Sequence, residues 1–313
     1  MRRSARVAAN HPFDRLDELC RKTRSAVCVG LDPHDALMPP DTRGRGLLLQ
    51  VRDYLHDVLD AIADVVPCVK PQIAFFEALG PDGYTLYFEI VRAAHRRGLF
   101  VVGDIKRGDI GTTAAGYAKG HLGPDDGSAV DAVTLNPYLG VDGIKPFLEV
   151  GRAKGRGVFV LARTSNPSGK EIQDVGAAGA GVEQSEGALY RRVGALLEQW
   201  GAACRGARGY SDVGAVVGAT HPDEGALLRR ELPHTWFLVP GYGAQGGTAA
   251  DVARTFDAQG GGAIVNSSRA IVFAWKEQEK SGGAARCAEL ARAAAIATTE
   301  AIRAAVAARK VAK

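Results

Sequence analysis

A carboxylate, an ammonium and a second carboxylate follow one another at Asp104, Lys106 and Asp109 in the segment Phe100-Val-Val-Gly-Asp104-Ile-Lys106-Arg-Gly-Asp109-Ile110-Gly-Thr-Thr113. Residues two apart on an extended strand point to one side, so Asp104 and Lys106 enter a pocket together. Opposite charges a few ångströms away favour the ionised form, and carboxylates on both sides favour an ammonium between them, a ready proton donor. The competing structural reading is a salt-bridge ladder at a helix start, with Asp109 as the N-cap.

A second cluster, Leu238-Val-Pro240-Gly241-Tyr-Gly243-Ala-Gln245-Gly246-Gly247, contains a formal G-x-G-x-x-G. The dinucleotide reading of that motif needs an acidic residue closing the next strand, and Asn266 stands there instead. What remains is local physics: glycines let backbone N–H groups approach an anion, and Gln245 can donate to it. Ile264-Val-Asn266-Ser-Ser268-Arg269 follows, with Arg269 suited to grip a phosphate and an ordinary solvated arginine as the plainer alternative. Asp32 and Lys70 are charges beside buried runs, where an unpaired charge is expensive, so each needs a partner in a pocket. Asn136-Pro-Tyr and Thr164-Ser165-Asn166-Pro167 offer neutral hydrogen-bonding groups, or simple turns.

Other chemistries lack their signatures. The seven histidines show no H-x-x-x-H or H-E-x-x-H spacing, and neither G-x-S-x-G nor G-x-x-x-x-G-K-[ST] occurs. The five cysteines are odd in number and form no C-x-x-C pair, which points to a reducing compartment without a disulfide framework or zinc knuckle. A net charge of +4 on 313 residues announces no nucleic-acid surface; a small anion is the more natural partner. With no apolar membrane span and no signal-like apolar run, a cytoplasmic protein is expected.

The elements that must position these groups alternate. Short Val-, Ile- and Phe-rich runs recur at Ala26–Gly30, Pro67–Lys70, Leu99–Gly103, Val130–Leu135, Gly157–Ala162, Gly214–Gly218, Thr235–Val239 and Gly262–Val265, each followed by a helical stretch. Near-continuous apolar character suits strands covered on both faces. Eight such units predict a single-domain (β/α)8 TIM barrel over residues 26–281, with the polar clusters on the loops that carry catalysis in such barrels. A doubly wound sheet is the alternative. The long interval from Thr164 to Gly218 reads as an active-site loop plus a helix. Residues 1–25 read as a helical extension closing the barrel bottom, and 282–313 as an Ala- and Arg-rich terminal helix.

Taken together, Gly-Leu-Asp32-Pro33, Lys70, Asp104-x-Lys106-x-x-Asp109-Ile110, Pro240-Gly241-x-Gly243-Ala-Gln245-Gly246-Gly247 and Arg269 resemble orotidine 5'-phosphate decarboxylases. The longer bacterial branch fits best, through Lys106-Arg-Gly-Asp109-Ile-Gly-Thr-Thr113 and Thr164-Ser165-Asn166-Pro167. The resemblance implies cofactor-free, metal-free decarboxylation of orotidine 5'-phosphate to uridine 5'-phosphate, the last step of pyrimidine biosynthesis, with Lys106 protonating C6 of the ring. It implies that Lys70, Asp104, Lys106 and Asp109 form a charged array, and that Asp109 and Thr113 reach across a homodimer interface into the neighbour's site. Asp32 would hold a ribose hydroxyl, Ser165 the pyrimidine, and Gln245 and Arg269 the phosphate. Ile110, Asn136, Thr164, Pro240, Gly241 and Ser268 complete the expected binding set. Two alternatives stay open: a magnesium-dependent sugar-phosphate decarboxylase or aldolase sharing the Asp-x-Lys-x-x-Asp strand end, which would need carboxylate-bound metal, and a non-catalytic phosphate-ligand binder on the same scaffold.

Overall fold

The computed structural model describes residues 11–40, 44–179, 185–281 and 286–311. Its strands are β1 (Val27–Leu31), β2 (Cys68–Pro71), β3 (Phe100–Arg107), β4 (Ala132–Leu135), β5 (Gly157–Arg163), β6 (Val213–Val217), β7 (Phe237–Val239) and β8 (Ala263–Ser267). All pair in parallel in chain order and β8 returns to β1, so the sheet closes into one barrel and the open doubly wound alternative is excluded. Every one of the apolar runs identified above becomes a strand, with ends shifted by a few residues. Helices cover the outside, among them Leu47–Ile62, Gly80–Arg96, Gly111–Leu122, Val141–Lys154, Leu189–Gly201, Pro222–Glu231 and Cys287–Val311. The long fifth connection contains a short 3-10 turn, Pro167–Gly169, the one-turn helix Lys170–Gln173 and then Leu189–Gly201, while 180–184 lie outside the described residues.

Side chains along each strand alternate between helix layer and barrel interior. The outward set joins the helices in one large core, for example Val69, Val101 and Val133 against Val58, Ile90 and Phe147. A separate inner cluster contains Cys28, Cys68, Phe100, Val102, Ala132, Phe159, Trp236 and Ile264. Into that inner cluster the helix Pro12–Thr23 inserts Phe13 and Leu16, both fully buried, with the Phe13 ring 5.0 Å from Phe159 and 6.1 Å from Trp236. Residues 1–10 of the expected extension, and 282–285 and 312–313 of the expected tail, lie outside the described residues.

Candidate active site

Strand parity builds the site. Cys68, Val102, Ala132, Phe159, Trp236 and Ile264 point inward, and two residues further along each strand stand Lys70, Asp104, Thr134, Leu161, Leu238 and Asn266. These line a cavity of about 400 Å³ at the carboxyl end of the barrel, within the size range of sites for small molecules. Asp32, Lys106, Thr164, Ser165, Pro240, Gly241, Gln245, Ser268 and Arg269, all singled out from sequence, share that cavity.

Asp104 is the hub of its charge. Its Oδ2 accepts a hydrogen bond from Lys70 Nζ at 2.5 Å, and its Oδ1 accepts from Lys106 Nζ at 2.5 Å and from Thr134 Oγ1 at 2.8 Å. The side chains of Lys70 and Asp104 are 6% exposed, whereas that of Lys106 is 48% exposed and open to the cavity. Burial alone would raise the Asp104 carboxyl, but the two ammonium groups outweigh it and hold the carboxyl well below the usual carboxylate range. Burial likewise opposes the Lys70 ammonium, and the carboxylates of Asp104 and Asp32 overcome it, so that Lys70 stays charged above the ordinary lysine range. The magnitudes decide this: a unit pair about 4 Å apart is worth about 4 kcal/mol at an effective dielectric near 20, against a burial penalty of several kcal/mol per ion. Two cations on one carboxylate tip the balance toward full ionisation.

The backbone bends to make this contact. Lys106 lies at φ +44°, in the left-handed region that L-residues seldom occupy, and the β3–β4 ladder shifts register between Gly103 and Arg107. Beyond Arg107 the chain leaves the cavity. Asp109, Ile110, Thr113 and Asn136 therefore lie outside its lining. Asp109 Oδ1 accepts from the Ile110 N–H at 2.8 Å, Asn136 Oδ1 from the Tyr138 N–H at 3.0 Å, and Ile110 and Thr113 are exposed near the start of the helix Gly111–Leu122. Within one chain, then, the charged array consists of Lys70, Asp104 and Lys106.

At the opposite end of the cavity the loop Gly241–Gly247 folds on itself, with the Gly243 N–H donating to Gly247 O at 2.9 Å and the Gly247 N–H to Gly241 O at 3.1 Å. Gly241 sits at φ +97°, which a side chain would strain. Neither the Gln245 amide nor the Arg269 guanidinium has a hydrogen-bonding or ionic partner among the described residues, and both groups face the cavity. Ser268 reaches the wall because β1 has a glycine beside it: a Cβ on Gly30 would lie 1.9 Å from Ser268 Oγ. Asp32 Oδ1 and Asn266 Oδ1 are buried without a hydrogen-bond partner among the described residues. Such acceptors are costly unless a ligand donates to them.

The fifth-strand loop is braced. Thr164 is tied to Gln173 through its N–H at 3.0 Å and its hydroxyl at 2.6 Å, and the carbonyl of Ser165 accepts from Thr220 Oγ1 at 3.1 Å. Behind them the buried Arg163 guanidinium pairs with Asp174 and with Glu224 at 3.2 Å. Thr134, Leu161, Val216 and Gln72 also line the cavity and were not singled out from sequence. The period-2 parity of the strands would have found the first three. Among the described residues no group of three or more His, Cys, Asp or Glu side chains converges as a metal site. The two ammonium groups on Asp104 oppose a divalent cation at that carboxylate.

Residues 25–282 match the model of the orotidine 5'-phosphate decarboxylase / HUMPS family. The chain is 44% identical over 271 residues to an orotidine 5'-phosphate decarboxylase of Rhodopirellula baltica, covering 83% of this chain and 87% of that one. It is 45% identical over 273 residues to the enzyme of the same name from Deinococcus radiodurans, covering 87% and 91%. The structure of Leishmania donovani OMP decarboxylase superposes with a TM-score of 0.72 at 31% identity, over 95% of this chain and 98% of that one. The chain belongs to the orotidine 5'-phosphate decarboxylase family.

Proposed function

We propose, from that membership, that the cavity takes orotidine 5'-phosphate and releases carbon dioxide and uridine 5'-phosphate, the last step of pyrimidine biosynthesis. The observation that carries this reading is the pairing of two ends of one cavity: the buried Lys70–Asp104 pair with the half-exposed Lys106 at one, and Gln245 and Arg269, without partners among the described residues, at the other. Loss of the carboxylate leaves an electron pair on a ring carbon with no π-system to receive it. Preorganised charge must therefore stabilise the carbanion, and the exposed Lys106 ammonium is the group placed to do so and then to deliver its proton to C6. Asp104, held ionised by its neighbours, fixes that ammonium and opposes the substrate carboxylate before it departs. Arg269 and Gln245 grip the phosphate. Binding energy gained there is used at the reacting carbon, since one ion pair cannot supply the ~20 kcal/mol that such catalysis can demand. Asp32, with its unpartnered buried oxygen, accepts from a ribose hydroxyl, and Ser165 faces the pyrimidine.

The reading includes a homodimer with shared sites. Ile110, Tyr138, Leu139 and Val141 are 54%, 82%, 45% and 43% exposed around the end of β3 and β4, an apolar face suited to a second copy. Asp109 and Thr113 follow the same strand end, from which they would reach into the partner's site, Asp109 to complete its charged array. Mixing Lys106→Ala with Asp109→Ala subunits should restore activity, because one heterodimer site then holds both native residues. No recovery despite demonstrated subunit exchange would argue against a composite site. A cytoplasmic location goes with this reading, and no described helix is long and apolar enough to cross a membrane.

The decisive assay follows the absorbance loss of orotidine 5'-phosphate with and without a chelator. Chelator-insensitive turnover is expected. Metal-dependent activity on a sugar phosphate, with none on the nucleotide, would replace the reading by the metal-dependent alternative.

A further inference from the structure

We infer that Thr134 is the positioning residue of the catalytic lysine: one hydroxyl on β4 locks both the left-handed backbone of Lys106 and the carboxylate to which its ammonium is bound. The inference rests on the assignment of Lys106 as proton donor made above. Thr134 is 1% exposed, so its hydroxyl depends on protein partners rather than bulk water. That hydroxyl has one proton and two lone pairs, and all are used. The proton goes to Asp104 Oδ1 at 2.8 Å, since an ionised carboxylate can only accept. The lone pairs take the backbone N–H groups of Ile105 and Lys106, each at 3.0 Å.

The position of these two N–H groups explains why a side chain is needed. They lie where the β3–β4 ladder shifts register between Gly103 and Arg107. A regular ladder would pair such groups with strand carbonyls; here the strand departs from that geometry, and a buried N–H left unpaired is rarely tolerated. Thr134 substitutes for the missing carbonyls. By doing so it stabilises φ +44° at Lys106, a conformation which an L-residue holds only when its surroundings over-determine it. The same oxygen reaches Asp104, which takes Lys106 Nζ on the same Oδ1. Backbone and ammonium of Lys106 are thereby referred to one atom of the neighbouring strand. The parity that places Thr134 inward, two residues beyond Ala132, puts it under the array and away from the phosphate grip at Gln245 and Arg269.

Thr134→Val is close in volume and removes the hydroxyl; Thr134→Ser keeps all three hydrogen bonds and removes only the methyl. The expected result is that Thr134→Val lowers kcat about 100-fold, the scale of a small misplacement of a reacting group, with KM for orotidine 5'-phosphate changed little, and that Thr134→Ser recovers most of the rate. Equal losses in the Val and Ser variants, or a loss confined to KM, would overturn the inference. Should Thr134→Val fail to fold, Thr134→Ala and Thr134→Ser provide the same contrast. A crystal structure of the folded variant separates this inference from the assigned reaction: it is expected to show Lys106 released from positive φ and its ammonium displaced from Asp104 Oδ1. An unchanged Lys106 backbone with both lysine contacts to Asp104 retained would refute the positioning role whatever the enzyme turns over, whereas a displaced lysine in the variant together with a wild type inactive on orotidine 5'-phosphate would refute the reaction alone.

Discussion

The two mouths of this barrel are built from the same strands and resolve opposite problems. At the amino-terminal mouth, Phe13, Phe159, Tyr210 and Trp236 pack ring against ring, Tyr210 and Trp236 at 4.8 Å and 72°. Two carboxylates there are paired: the partly buried Asp131 accepts from His95 at 3.0 Å and the Val101 N–H at 2.7 Å and pairs with Arg15, while Asp212 is paired with Arg152 at 2.6 Å. At the carboxyl-terminal mouth the same inward positions carry Lys70, Asp104, Thr134 and Asn266, and among the described residues Asp32 Oδ1, Asn266 Oδ1, the Gln245 amide and the Arg269 guanidinium have no partner. One end is closed by aromatic packing and ion-paired carboxylates, with the His11 ring and Trp236 Nε1 left without hydrogen-bond partners among the described residues; the other gathers its partnerless groups around one cavity. This is the division between stability and chemistry that barrels of this type show.

Substitutions at the two ends should therefore separate activity from stability. The largest effect belongs to Lys106→Ala. Loss of the donor should lower kcat by about 1000-fold or more while Tm stays close to that of the wild type, because the side chain is half exposed. Initial rates and a thermal melt on the same preparation check both halves. At the other mouth Phe13→Ala removes a fully buried ring and should cost about 3–5 kcal/mol, read from a denaturant midpoint, with kcat of the folded protein retained. A large drop in kcat there would show that the two mouths are coupled. Arg269→Ala should raise KM for the nucleotide about 10- to 100-fold, the scale of a charge-assisted contact, without loss of stability.

The smallest effect is in acid. Asp104 and Asp131 both lie below the ordinary carboxylate value, despite burial, because of Lys70 and Lys106 in one case and His95 and Arg15 in the other. A depressed folded pKa gives stability that is complete above the unfolded value, about 4, and is lost as pH falls toward the folded value. Asp104→Asn and Asp131→Asn should each flatten the decline of stability below about pH 4, measured by urea melts across that range. Only Asp104→Asn should also abolish turnover. If Asp131→Asn abolishes turnover in a folded protein, the two ends are not independent.

Much of this architecture was legible because strand and loop use different residues. The apolar runs ending in Asp32, Lys70, Asp104 or Asn266 mark strand and strand end at once, since charge beside a buried run has few places to go. The residue pattern alone did not separate Asp109 and Thr113 from Lys106; only the family resemblance put them at an interface between copies. They follow Lys106 closely in sequence, yet the turn after Arg107 carries them to an outer face. Thr134 illustrates the remaining gap. Its inward direction follows from parity, but its bonds depend on a register shift and on a positive φ at a lysine, neither of which has a local residue signature. Partnerless groups such as Asp32 Oδ1 are likewise invisible until the chain is folded, because lack of a partner is a property of the neighbourhood.

The proposed chemistry requires the Lys106 ammonium to face the ring carbon that loses carbon dioxide. A crystal structure with a non-reactive analogue of orotidine 5'-phosphate tests it most directly. Lys106 Nζ is expected in contact with both Asp104 and the C6 position, with the phosphate on Gln245 and Arg269. An ordered analogue seated in the cavity with Lys106 turned away toward solvent would contradict it.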